Sequence, residues 1–207
     1  MKDSFISVPT SKGDVYYREI SFFEYKHLCK MLLSDNMPDI NKSIELLLDS
    51  CVKEKENLNI VDKFKCLISI RNTIHGKEIG FNNEDRQINF DLSSLLEQHY
   101  DETDVVYDIL TFNSPKNFYS NSYDDYLAQC LIKVKDVDVS KFSLEEKKAL
   151  IGETSFSITK IYKKIFETFK ERNVTLFKDI KINIYSQEYI LGFLKSIFYE
   201  DIFSVLQ

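Results

Sequence analysis

Ile158-Thr159-Lys160-Ile161-Tyr162-Lys163-Lys164-Ile165-Phe166-Glu167-Thr168-Phe169-Lys170 decides the fold class. Ile158, Ile161, Tyr162, Ile165, Phe166 and Phe169 fall on one stripe at helical spacing. Lys160, Lys163, Lys164, Glu167 and Lys170 take the opposite face, so the segment is a helix lying on a core with a wetted back. Residues 180–185 then read as a strand and residues 187–199 as a very apolar closing helix. Helices and short strands that do not alternate regularly point to an α+β fold, predominantly helical with several short antiparallel strands, rather than a doubly wound α/β sheet.

Working back from that helix, Ser143-Leu144-Glu145-Glu146 is a capping box that opens a short helix to about residue 151. Residues 105–112 and 130–137 are strand candidates, separated by a polar loop over 113–125. Residues 78–81 and 86–90 read as a hairpin around 82–85, after which Asp91 caps a short helix through Leu92, Leu95 and Leu96. Three helices precede it. The first opens with the box Ser21-Phe22-Phe23-Glu24, carries Phe22, Tyr25, Leu28, Cys29 and Leu32 on one face, and ends at Asp35-Asn36-Met37-Pro38. The second starts near Asn41, with Ile44, Leu47, Leu48, Cys51 and Val52 inward. The third covers about 61–75, with Phe64, Leu67, Ile68, Arg71 and Ile74 on its face, and stops at His75-Gly76. Residues 4–20 read as extended, with a turn at Pro9-Thr10-Ser11-Lys12-Gly13.

The length of 207 residues fits one domain, or two small lobes with a helix-rich half over 1–100 and an α+β half over 101–207. Apolar residues at 43% and aromatics at 14% are ample for a packed core and exclude a disordered chain. The net charge of −6 gives no general attraction for nucleic acid or an anionic membrane, so neither is expected as a partner. No apolar run is long enough to insert in a bilayer, and the first nine residues lack the core of a signal peptide. Cys29, Cys51, Cys66 and Cys130 are too widely spaced for a zinc knuckle or a redox dithiol, and read as inert reduced thiols of a soluble intracellular protein.

No catalytic motif survives inspection, and no metal or cofactor is expected. His27 and Cys29 lie two apart on a helix and point to different faces; His75 sits at a helix end; His99 has no nucleophile in its vicinity. Gly76-Lys77-Glu78-Ile79-Gly80 lacks the rest of a phosphate loop. Residues 136–147 begin like a calcium loop, but Lys141 and Lys147 stand where the loop needs Gly and a bidentate Glu. Glu97, Asp101, Glu102, Asp104 and Asp108 form an acidic stretch that reads as a solvated loop, although two folded-together carboxylates are all a glycosidase needs. What stands out is the aromatic load, 16 Phe and 12 Tyr. Surplus rings at a surface suit protein contacts. Residues 118–126 carry four rings in a polar setting, making Tyr119, Tyr123 and Tyr126 candidate partner-binding residues, with Phe198 and Phe203 of the closing segment as a second pair.

The amino-terminal half also resembles a known group. The pattern runs from Val8-Pro9-Thr10-Ser11-Lys12-Gly13 through Tyr17-Arg18-Glu19-Ile20 to Glu24-Tyr25-Lys26. It continues in Leu46-Leu47-Leu48-Asp49-Ser50-Cys51-Val52 and Asp62-Lys63-Phe64-Lys65-Cys66-Leu67-Ile68-Ser69-Ile70-Arg71, and closes with Gly76 and Asp91-Leu92-Ser93-Ser94-Leu95. Over roughly residues 8–96 it is similar to the baseplate hub and hub-assembly proteins of T-even-like contractile-tailed bacteriophages. The resemblance implies a late phage protein with no enzymatic role. It would contact other hub subunits or the tape-measure protein, in the host cytoplasm during assembly and in the tail baseplate if retained. The alternatives are a chaperone absent from the virion, a cell-wall hydrolase using two carboxylates, and a host-directed adaptor.

Overall fold

The computed structural model describes residues 5–10, 13–53, 58–83, 86–97, 103–154, 157–171, 174–177, 180–182 and 187–198. The chain enters as an antiparallel hairpin, β1 (Phe5–Thr10) and β2 (Gly13–Arg18), paired in register from Phe5↔Arg18 to Thr10↔Gly13. Its inner face is Val8 and Tyr17, both fully buried. The Ser21 capping box starts α1 (Phe22–Leu32) as the sequence predicts, with Ser21 and Glu24 exchanging backbone and side-chain bonds. Helix α2 (Met37–Cys51) begins four residues earlier than its apolar spacing predicts, because Pro38 lies in its first turn, where a missing N–H costs nothing. Arg18 joins these three elements. Its guanidinium holds both oxygens of Glu24, at 2.6 and 3.1 Å, and donates to the Ser50 carbonyl.

Helix α3 (Ile60–His75) is the centre of the molecule. Every residue from Ile60 to Arg71 is buried, on all faces, where a single apolar stripe is predicted. Ile74, placed on that stripe, is exposed at the helix end. The polar residues of this buried stretch find partners: Lys63 on Glu45 and Asn117, Lys65 on the Pro9 carbonyl, and Arg71 on the carbonyls of Ile197, Gly76 and Glu78. An Asn59–Asp62 capping box opens the helix, and Gly76, at φ 77, closes it in the left-handed region that a glycine occupies without strain.

Beyond α3 come the hairpin of β3 (Glu78–Asn83) and β4 (Arg86–Asp91) and the short α4 (Ser93–Glu97), begun by Asp91 accepting from the Ser93 N–H. The two strands expected at 105–112 and 130–137 are each split by a two-residue turn. The result is a four-stranded antiparallel meander: β5 (Val105–Tyr107), β6 (Leu110–Phe112), β7 (Leu131–Val134) and β8 (Val137–Asp138). Asp108 (φ 52) and Lys135 (φ 54) turn the chain with the positive φ that tight hairpins require, without the glycine that would have marked them in the sequence.

Helix α5 (Tyr123–Cys130) sits between β6 and β7, its first turn capped by Ser122 accepting from the Asp125 N–H. The Ser143 box opens α6 (Leu144–Gly152) as expected, and α7 (Ile158–Lys170) buries Ile161, Ile165 and Phe169 completely. Strands β9 (Val174–Phe177) and β10 (Ile180–Ile182) form a last hairpin, and α8 (Gln187–Ile197) closes the described chain. Among the described residues there are eight helices and ten short, exclusively antiparallel strands, so the fold is α+β and mostly helical. One apolar cluster runs through both halves, from Val8 to Phe198.

Candidate functional site

The loop over 113–120 is fastened at several points. Asn113 donates to Asp104 at 2.7 Å and accepts from the Ser114 N–H. The Pro115 carbonyl accepts from the first N–H of α3, and the Gln129 side chain accepts from the Asn117 N–H and donates to Ser120. This loop, β7, the turn after β8 and the start of α6 surround a cavity of about 650 Å³. Its lining includes Lys116, Lys133, Lys141 and Lys147, against a single carboxylate, Asp138. Asp138 is engaged locally. It accepts from the Ser140 N–H at 2.8 Å, and that bond holds its pKa below the usual carboxylate range.

Lys147 and Lys148 are neighbours on α6 in opposite circumstances. Lys148 reaches Asp125 at 2.6 Å and Glu145 at 3.0 Å; the bond to Asp125 does most to raise its pKa, and it straps α6 to α5. Lys147 is only 3% exposed, four residues ahead of the buried Ile151 and therefore on the core-facing side. No ion pair or side-chain hydrogen bond reaches its ammonium among the described residues. Burial pushes its pKa down and the charge of Lys116 pushes it further, while the Asp138 charge acts the other way. Lys116 also disfavours the charge on Lys63, on the other side of the loop, but there Glu45 sits at 2.7 Å and offsets it.

The aromatic residues singled out from the sequence do not form one surface. Tyr123 is 52% exposed, yet one side of its ring lies stacked on Tyr162 at 4.2 Å between centroids. Tyr126 is buried and meets Tyr162 and Phe166 edge-on, so it belongs to the α5–α7 contact. Tyr119 is half-buried, with its carbonyl facing the Gln129 side chain. Phe118, the fourth ring of this stretch, is buried as well. Phe198 has no exposed surface and packs on Tyr25 at 5.9 Å, which makes it a core residue rather than a contact residue. Phe203 lies outside the described residues. The segment 118–126 is thus folded back on the core, because Ser122 and Asp125 turn its second half into a helix with an inner face.

The large rings that do stand in solvent are elsewhere. Phe22 and Phe23, in the first turn of α1, are 61% and 80% exposed and meet edge-to-face at 6.1 Å. Helical spacing predicts Phe22 on the buried face. The first turn is exposed instead, and burial starts at Tyr25. Leu33 and Leu46 are also exposed.

His27 lies 3.4 Å from Ser43, His75 rests against the Tyr25 ring, and His99, Asp101 and Glu102 lie outside the described residues. All four cysteines are free and buried, and burial raises the thiols of Cys51 to about 11, Cys66 to about 12 and Cys130 well above its ordinary value. These three are held as protonated thiols at neutral pH. Among the described residues no three His, Cys, Asp or Glu side chains gather as metal ligands would, and no helix is long and apolar enough to cross a membrane.

The lysine-lined cavity has no counterpart in the sequence reading. Its cations come from the 113–120 loop, β7, the turn after β8 and α6, and no spacing rule links them. The one legible trace is the helical offset of Lys147 from Ile151. No family model matches the chain, no curated protein matches it, and no solved structure matches its fold.

Proposed function

We propose that the chain acts through protein–protein contacts in building the baseplate hub of a contractile-tailed bacteriophage, with other hub subunits as its partners and without a catalytic step of its own. The observation that carries the contact part is the Phe22–Phe23 pair, two phenyl rings held in water at the start of a well-capped helix. Burying an exposed Phe against a partner is worth roughly 1.5–3 kcal/mol, and a few such anchors dominate a stable interface. The hub part rests on the resemblance. The residues that carry it are largely those that set the amino-terminal architecture: Val8, Tyr17, Arg18, Glu24, Ser50 and the buried run of α3.

The test is a tagged pull-down from infected cells, with captured proteins identified by mass spectrometry. Recovery of hub or tape-measure proteins is the expected result, and recovery of host proteins alone overturns the reading. The double substitution F22S/F23S should lower that capture at least tenfold and leave the thermal midpoint within a degree or two, because neither ring belongs to the core. Mass spectrometry of purified virions then separates a resident subunit from a chaperone that leaves.

A further inference from the structure

We propose that the cavity between the 113–120 loop, β7 and α6 is a binding site for a small oxyanion of charge −2 or more, held chiefly between Lys147 and Lys116. The proposal is independent of the hub reading. Three observations carry it together. The first is chemical: four lysines and one carboxylate line the space, so its lining carries an excess of positive charge. The second is Lys147 itself, a side chain only 3% exposed whose ammonium has no ion pair or side-chain hydrogen bond among the described residues; the Asp138 charge favours it without pairing, and Lys116 opposes it. Among the other described residues, buried cations are paired: Lys63 has Glu45 and Asn117, and Arg71 has three carbonyls. A covered charge without an ion pair is costly, so a fold that keeps one beside another cation suits an anion that comes from outside.

The third observation is size and preparation. At about 650 Å³ the cavity falls within the 300–1,000 Å³ range of small-ligand pockets. Its loop wall is already fixed by Asn113 and Gln129, so an incoming ligand does not have to order it. A concave space of this volume admits a small molecule; it is not a groove that follows a nucleic-acid backbone. Two ammonium groups facing one space match a ligand with at least two negative charges, which phosphate and carboxylate chemistry both supply.

Isothermal titration calorimetry of the full chain decides the matter, with inorganic pyrophosphate and citrate as probes at low ionic strength. Saturable one-to-one binding of either probe is expected, and the tighter of the two identifies the phosphate or the carboxylate class. Lys147→Met should weaken it at least tenfold. Lys116→Met, at an exposed position that does not bear on folding, should weaken it several-fold. No binding of either probe at millimolar concentration overturns the proposal, as does binding that both variants leave unchanged. Binding of a poly-glutamate peptide or single-stranded DNA without binding of pyrophosphate or citrate also overturns it, in favour of a macromolecular partner.

Discussion

Buried charge is handled in two ways in this molecule. Around α3 each buried cation has a partner fixed by the fold: Lys63 bridges Glu45 of α2 and Asn117 of the 113–120 loop, Lys65 caps the end of β1, and Arg71 gathers three carbonyls from α8 and the α3–β3 connection. At the partly exposed edge of the same region Arg18 and Glu24 form a two-bond pair that joins the hairpin to α1 and α2. Around α6 the opposite holds: Lys147 is covered, Lys116 opposes its charge, and no carboxylate pairs with it among the described residues, Asp138 acting only without contact. The two regions share one apolar core and differ in how their covered cations are paired. A paired buried cation fixes elements relative to one another. An unpaired one lowers stability, and its retention makes sense only through something it binds.

The comparison can be broken at Lys63. Lys63→Met removes the donor shared by Glu45 and Asn117 and should cost about 2 kcal/mol in urea unfolding, less than a fully buried pair because Glu45 keeps contact with water. A neutral or stabilising result would mean that pairing around α3 is incidental. The Arg18–Glu24 pair offers a pH-dependent version. The Arg18 guanidinium, helped by Ser21 and Ser50, holds the Glu24 carboxyl well below its ordinary range. A carboxyl depressed in the folded state adds stability that is complete above its unfolded pKa of about 4.3 and is lost as pH falls through the folded value. Glu24→Gln should therefore cost about 1 kcal/mol at pH 7, a figure kept small by solvent screening of the half-exposed arginine, and the gap to the wild type should narrow below pH 4. A constant gap from pH 7 to pH 3 would show that the lost stability comes from packing rather than charge.

Much of the fold was legible because its signals are local. Ser21–Glu24 and Ser143–Glu146 are capping boxes complete within four residues, and the α7 stripe needs only a period of 3.6. Reading failed where the deciding contact was distant or the marker residue absent. Asp108 and Lys135 make tight turns without a glycine, so two hairpins looked like two strands. Phe22 has the spacing of a buried residue yet is 61% exposed, since burial on α1 starts one turn later at Tyr25. The tyrosines of 118–126 have the polar surroundings of a surface, but the Ser122–Asp125 cap makes the second half of that stretch a helix with an inner face. The lysine cavity was the least legible feature of all. Four lysines distributed over 32 residues of an acidic chain carry no signature until β7, α6 and the loop are folded together.

The most direct measurement is the urea midpoint of Lys147→Met beside that of the wild type, at pH 7 in buffer free of multivalent anions. Removing an unpaired buried ammonium relieves both its desolvation and its repulsion with Lys116, so the variant should be more stable by about 0.5–1 kcal/mol, opposite in sign to Lys63→Met. A loss of stability of 1 kcal/mol or more would show that Lys147 contributes to the fold as Lys63 does, and the contrast between the two regions would fail.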